Sequence, residues 1–231
     1  MLRAVLLDFN GVLVDDEPLH LRLFQRVLGE AGIELDAALY GSEYLGLDDR
    51  GCLSKALRRA GRPAEPAAVA RLIARKAAYY QEEIRSQGYP FFPGAIELVR
   101  ALAGDGILLG LVSGALRDEV DGALWQAGVA NRFKSIVTAE DVAEGKPDPE
   151  GYRVALALLN TEPPLPERIV HPHDAVAIED SPAGLASAAS AGLGTVGVAQ
   201  SYDAAKLAAA DFVVDSIADL SPAALRRRFG G

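Results

Sequence analysis

Short apolar runs recur along the chain at residues 4–7, 107–112, 135–137, 175–178, 195–198 and 212–214. They are rich in Val, Ile and Leu and mostly bounded by Gly, Asp or Ser, the pattern of strands covered on both faces. Between most of them the apolar positions repeat at helical spacing instead. Residues 94–103 carry Ala95, Ile96, Leu98, Val99 and Leu102; 115–127 end before Gly128; 149–159 end at Asn160; 182–191 open with Pro182 and stop at Gly192. Proline just inside the start and glycine just past the end mark helix boundaries. Buried strands alternating with helices predict an α/β protein with a doubly wound, Rossmann-like parallel sheet and helices on both faces.

One interval breaks the alternation. About a hundred residues separate the first run from the second, where a strand–helix–strand crossover needs only about a dozen. The interval holds helical patterns at 18–30 (Leu19, Leu23, Phe24, Val27, Leu28), 51–60 and 66–84 (Val69, Leu72, Ile73, Ala77, Tyr80), with no convincing strand. This predicts a small all-helical domain, residues 16–88, inserted into a core made of 1–15 and 89–231.

Composition narrows the partners. Hydrophobic residues make up 50% of the chain, enough for a sizeable core, and charged residues only 24%, too few for a disordered polyelectrolyte. With 32 acidic against 23 basic side chains the formal net charge is −9, and Arg58, Arg59 and Arg62 are followed by acids and alanines. Nucleic-acid binding is therefore disfavoured. The longest uncharged stretch, 181–202, is rich in Ser, Gly and Ala and lacks the apolar density of a membrane span. Residues 4–7 are too short an apolar run for a signal peptide, and the single Cys52 cannot form an intramolecular disulfide. A cytoplasmic monomer with no membrane partner is expected.

In an open parallel sheet, chemistry gathers beyond the carboxyl ends of the strands. After the first run come Asp8, Asn10 and Gly11; after the second, Ser113 and Gly114; beyond the third, Lys146; directly after the fourth, Glu179 and Asp180. Converging carboxylates suit Mg²⁺, and a hydroxyl, an ammonium and backbone N–H groups suit a phosphoryl group. Singly, each residue has a plainer use: a turn at Asp8, a helix cap at Ser113, or acids at a helix start at Glu179 and Asp180. Together they predict a phosphoryl-transfer site with Asp8 as the candidate nucleophile.

The segments Asp8-Phe9-Asn10-Gly11-Val12-Leu13, Val112-Ser113-Gly114, Gly145-Lys146-Pro147-Asp148-Pro149 and Ile178-Glu179-Asp180-Ser181-Pro182-Ala183-Gly184 resemble the ordered motifs of the haloacid dehalogenase superfamily. The inserted helical segment is similar to its cap, and the combination resembles the branch holding β-phosphoglucomutase and the sugar-phosphate phosphatases. The resemblance implies that Asp8 attacks phosphorus and becomes an aspartyl phosphate. It implies Mg²⁺ held by Asp8, the backbone carbonyl of Asn10 and Asp180, with Glu179 in direct or indirect support. Ser113, Gly114 and neighbouring N–H groups would hold phosphoryl oxygens, and Lys146 would offset the gathered negative charge. The implied activity is a Mg²⁺-dependent phosphohydrolase of a small sugar phosphate or similar phosphorylated metabolite, with a phosphomutase as the alternative.

One residue departs from the pattern. Most active relatives carry Asp two residues after the nucleophile as general acid and base, and this chain has Asn10. An amide keeps its backbone carbonyl for a metal but cannot exchange the proton, a loss commonly worth about 10²–10⁴-fold. Another proton route, a retired phosphometabolite-binding role and a deliberate substitution all remain open at this stage. The dipeptide Asn10-Gly11 is also the one most open to backbone attack on its side-chain amide, because glycine offers no Cβ to obstruct it.

In the inserted segment, Glu17, His20, Arg50 and Lys76 resemble substrate-reading positions of the cap, their plainer alternative being ordinary helix-surface polarity. His20 is assigned substrate contact first and a replacement base second. Arg117 is placed either near the phosphate or on an exposed first turn. His171-Pro172-His173-Asp174 precedes the fourth run, so it is expected in a surface loop at the opposite edge of the sheet rather than in a metal site.

Overall fold

The computed structural model describes residues 1–230. The chain divides into two compact units, Met1–Asp15 with Pro90–Gly231, and Asp16–Tyr89.

The first unit is built on strands β1 (Ala4–Leu7), β2 (Leu108–Val112), β3 (Phe133–Val137), β4 (Ala175–Glu179), β5 (Gly194–Val198) and β6 (Phe212–Val214). Its helices are α5 (Ala95–Gly104), α6 (Arg117–Gln126), α7 (Glu150–Thr161), α8 (Pro182–Ser190) and α9 (Pro222–Phe229). The sheet is parallel throughout, in the order β3-β2-β1-β4-β5-β6. The order reverses direction at β1, so the crevice beyond β1 and β4 is the switch point where such sheets gather ligands.

Period-two alternation along the strands decides which side chains face which helices. Ala4 and Leu6 of β1 and Ala175 and Ala177 of β4 share one packed core with Tyr152, Ala155 and Leu159 of α7 and Ala188 of α8. The same phase carries on to Asp8 and Glu179, so both carboxylates leave their strands on the side covered by α7. Leu7 is paired with Leu111 on one side and Ile178 on the other, and Asp8 N–H donates to the Ile178 carbonyl at 3.0 Å. That register brings the strand ends level.

The second unit holds α1 (Glu17–Glu30), α2 (Ala37–Glu43), α3 (Asp49–Arg59) and α4 (Pro66–Gln87), and no strand among the described residues. Phe24, Val27 and Leu28 of α1 pack with Tyr40, Leu53, Leu57 and Val69 in its core. None of the described helices is long and apolar enough to cross a membrane.

The observed elements differ from the sequence expectation mainly by two helices it lacks. Helix α2 has seven residues with only Tyr40 buried, and α9 buries only Leu225, its last turn being Arg226, Arg227 and Arg228. Neither carries an apolar stripe. Each does carry its start signal, Asp36 accepting from Leu39 N–H and Ser221 from Ala224 N–H.

Candidate active site

The loop after β1 is a tight hydrogen-bonded turn. Leu13 and Val14 N–H donate to the Phe9 carbonyl, Gly11 N–H donates to the Val14 carbonyl at 2.9 Å, and Gln200 Nε2 donates to the Gly11 carbonyl at 2.9 Å. Gly11 has φ +75°, and a Cβ there would lie 1.9 Å from Asp180 Oδ2. Glycine is thus required twice, for the backbone conformation and for the space that the Asp180 carboxylate occupies. Glu179 has the same requirement on its own side, where a Cβ on Gly184 would sit 1.9 Å from Oε2.

Asp8, Glu179 and Asp180 are each buried and offer oxygens that all lie within 4.8 Å of one another. An all-oxygen donor set of this kind, in a space kept open by Gly11, fits a hard divalent cation. The three carboxylates do not play equal parts. Lys146 Nζ stands between two of them, 2.7 Å from Asp8 Oδ1 and 2.7 Å from Glu179 Oε1, and donates a third bond to the Val112 carbonyl at 3.0 Å. Glu179 Oε1 also accepts from the Tyr152 hydroxyl at 2.5 Å. Glu179 is thus engaged by Lys146 and Tyr152, which leaves Asp8 and Asp180 as the carboxylates that could hold a metal directly.

The electrostatics follow from burial. Burial and then the Asp8 carboxylate push the Glu179 carboxyl up to about 8, against the pull of Lys146 and with a further push from Asp180. Burial alone would lower the Lys146 ammonium, but Asp8 and Glu179 outweigh it and hold Lys146 above its ordinary range. Burial and the Glu179 carboxylate raise Tyr152 far enough to keep it a hydrogen-bond donor.

Ser113 does not cap α6. Its N–H donates to the Val137 carbonyl, and its Oγ accepts from Ala115 N–H at 2.9 Å, a short turn that leaves the hydroxyl proton directed elsewhere. Gly114 is exposed beside it. Arg117 is committed to the β3 loop: its guanidinium donates to Asp141 Oδ2 at 2.5 Å and to the Ile136 carbonyl at 3.1 Å. His171, His173 and Asp174 form a turn ahead of β4, with the imidazoles stacked 5.5 Å apart and His171 N–H donating to Asp174. Because β4 runs from Ala175 toward Glu179, that turn lies at the opposite end of the strand from the carboxylates.

The conformation of Gly11 bears on the stability of Asn10. Loss of the Asn10 amide requires Gly11 N to attack the side-chain carbon, but that nitrogen is buried, hydrogen-bonded to Val14 and fixed in a tight turn. Folded protein should keep asparagine at position 10 through prolonged storage, and denatured protein should lose it. Peptide mass mapping of aged folded and unfolded samples checks this; equal conversion in both would mean that the turn opens readily.

In the helical unit, the residues singled out from the sequence join a buried polar chain. Asp16 is fully buried and accepts from the Tyr80 hydroxyl at 2.6 Å, with His20 Nε2 at 3.2 Å. His20 Nδ1 lies 2.7 Å from Lys76 Nζ, and Lys76 reaches Asp49 Oδ1 at 2.5 Å. An ammonium only donates, so Nδ1 must accept and the ring proton resides on Nε2, facing Asp16. Glu17 accepts from the Tyr40 hydroxyl. Lys76, expected to present its charge to a ligand, is wholly buried within the unit, whereas Arg50 is exposed on the first turn of α3. From the sequence, Tyr80 reads only as an apolar position of the 66–84 pattern and Tyr152 is not singled out at all.

Lys76→Ala should therefore destabilise the protein by about 2–5 kcal/mol, because it empties the space of a wholly buried side chain and removes a donor to Asp49 and His20. Arg50→Ala should change stability by about 0.5 kcal/mol or less. Chemical denaturation of the two variants beside the native protein measures both; equal stabilities would mean that the Lys76–Asp49 contact adds nothing.

Comparison with known proteins bears on the chain's family and fold. Validoxylamine A 7'-phosphate phosphatase from Streptomyces hygroscopicus subsp. limoneus is 29% identical over 231 residues, spanning 95% of this chain and 96% of that protein. β-Phosphoglucomutase from Bacillus subtilis is 28% identical over 223 residues, spanning 95% and 92%. Among solved structures, CbbY from Rhodobacter sphaeroides in complex with phosphate superposes with a TM-score of 0.82 at 27% identity, covering 95% of this chain and 96% of that one. An aspartate-to-asparagine mutant of that protein, in complex with xylulose-1,5-bisphosphate, superposes equally well. The haloacid dehalogenase-like hydrolase family profile matches residues 2–192, and the chain belongs to that family.

Proposed function

We propose that this protein is a Mg²⁺-dependent phosphohydrolase of small phosphorylated metabolites, sugar phosphates among them, that works through a phosphoryl group carried on Asp8. The observation that carries the reading is the position of Asp8. Its Oδ1 is held by Lys146, and it offers an oxygen within 4.8 Å of one from Asp180, so the carboxylate is held in place and its charge is balanced. A held carboxylate at a strand end, paired with a cation, is arranged to attack an electrophile that brings its own negative charge.

In this reading Lys146 orients Asp8 and balances charge as it gathers, and Ser113 with the N–H groups that follow it holds phosphoryl oxygens. Tyr152 and Glu179 keep Lys146 in place. Asp8, the Asn10 carbonyl and Asp180 would hold Mg²⁺, which would supply charge screening and alignment of the phosphoryl group. Glu17, His20 and Arg50 are assigned to the non-phosphoryl part of the substrate, with His20 set in position by the buried chain around Lys76 and Glu17 by the Tyr40 hydroxyl. The relatives named for phosphatase activity and the CbbY complex with phosphate support this assignment. The β-phosphoglucomutase relative favours a phosphomutase as the second reading.

Phosphate release from a panel of phosphorylated metabolites, with and without Mg²⁺, tests the activity, and interconversion of glucose phosphates without phosphate release would select the mutase. A second readout needs no turnover. Mg²⁺ at about 100 times its Kd should stabilise the protein by about 2.7 kcal/mol, raising Tm by roughly 5–10 °C. Asp180→Asn should remove most of that rise. A Tm indifferent to Mg²⁺ would count against the metal assignment.

A further inference from the structure

Resting on the metal assignment proposed above, we infer that the loop after β5 completes the cation site, with Ser201 as a positioning residue whose hydroxyl holds the Asp180 carboxylate toward the metal. The chain beyond β1 to β4 supplies Asp8, Ser113, Lys146 and the Glu179-Asp180 pair. The end of β5 supplies a fifth contribution.

Register brings that loop to the site. Glu179 of β4 is paired with Gly197 of β5, so the residues that follow Val198 leave the sheet at the same edge as Asp180. Gln200 is then fixed by three hydrogen bonds. Its N–H donates to the Val198 carbonyl at 2.9 Å, its Nε2 donates to the Gly11 carbonyl at 2.9 Å, and its Oε1 accepts from Ile217 N–H at 2.8 Å. A backbone N–H only donates and a carbonyl only accepts, so the two side-chain contacts hold the amide in one orientation. Gln200 thereby ties the loop that follows Asp8 to the loop that carries Ser201. Ser201 comes next and is half-buried. The point where a Cβ on Gly11 would stand lies 1.9 Å from Asp180 Oδ2 and 2.5 Å from Ser201 Oγ. Both oxygens therefore border one small space, the space that glycine keeps open. Among the described residues the Ser201 hydroxyl has no hydrogen-bond partner, so its proton is uncommitted, and Asp180 Oδ2 is the anionic acceptor across that space.

An ionised carboxylate accepts at both of its oxygens. Mg²⁺ demands near-octahedral oxygen ligands, which suits a carboxylate that gives it one oxygen and is held at the other. A hydroxyl donating to the second oxygen fixes the turn of the carboxylate and shares its charge, the part that hydrogen-bonded partners play behind metal ligands generally. The other two carboxylates of the set have donors of this kind on view: Asp8 has Lys146, and Glu179 has Lys146 and the Tyr152 hydroxyl. Ser201 stands in that place for Asp180, and Gln200 keeps it there.

The test follows the rise of Tm with Mg²⁺ concentration, without substrate, in native protein, Ser201→Ala and Ser201→Thr, and takes the Mg²⁺ Kd of each from it. Ser201→Ala should bind Mg²⁺ about 10-fold more weakly. Ser201→Thr keeps the hydroxyl and should bind like the native protein. Tm without Mg²⁺ should differ by no more than about 2 °C among the three, which separates a weakened site from a damaged fold. The same Mg²⁺ Kd in native protein and Ser201→Ala overturns the inference and leaves the metal assignment standing. Equal weakening in Ser201→Ala and Ser201→Thr traces the loss to the shape of the loop instead of the hydroxyl, and overturns it as well. A native protein whose Tm does not respond to Mg²⁺ removes the metal assignment, and the inference with it.

Discussion

Replacing Asp8 by asparagine should lower phosphate release by about 10⁴-fold or more, to the level of uncatalysed hydrolysis, since it removes the atom that forms the bond to phosphorus. The amide is nearly isosteric, so the change is one of chemistry rather than shape. It also withdraws one of the carboxylates facing Lys146 at 2.7 Å, and the fold of the variant is checked by Tm in the same preparation. A variant that folds and still turns over, after contaminating phosphatase is removed, would rule out covalent catalysis through Asp8.

Lys146→Met should have the next largest effect, acting on rate and stability together. Its ammonium is the shared donor between Asp8 and Glu179, with a side chain only 16% exposed. Loss of one preorganised electrostatic partner costs about 10²–10³-fold in kcat. Leaving buried carboxylates without their cation costs about 3–5 kcal/mol. Lys146 is also what pulls the Glu179 carboxyl downward, so its removal should push that carboxyl up further. The sign for stability follows. A carboxyl raised from 4.5 to about 8 contributes stability that is full below 4.5 and is lost as pH rises through about 8. In the variant that loss should move to higher pH, which urea unfolding across pH 5–9 in the absence of Mg²⁺ would show. An unshifted profile would mean that Lys146 does not control the proton on Glu179.

How far the chain could be read before folding depends on what local spacing encodes. The six strands follow from short apolar runs, and the edge carrying Asp8, Ser113, Lys146 and Glu179-Asp180 from the polar residues beyond four of them, a one-dimensional signal. The division of labour between the two adjacent carboxylates is not local. It is set by Gly11, from another loop, making room for Asp180, and by Tyr152, on α7, donating to Glu179. On spacing alone Tyr152 is an inward-facing helix residue and reads as core. Lys76 shows the same limit more sharply. In an alanine-rich helix it looks like a solvated charge, and only the packing of α1, α3 and α4 places it between His20 and Asp49, which are 56 and 27 residues away in sequence. Helices α2 and α9 escaped for a different reason, since each buries a single large side chain and so writes no periodic stripe.

The central claim is that Asp8 carries the phosphoryl group, and it is tested most directly by locating that group. Native protein incubated with acetyl phosphate and Mg²⁺, quenched in acid and digested, should yield the peptide containing Asp8 with the added mass of one phosphoryl group. Asp8→Asn should yield none. A phosphoryl group found on another residue, or phosphate released at an undiminished rate by the Asp8→Asn protein, would contradict the account.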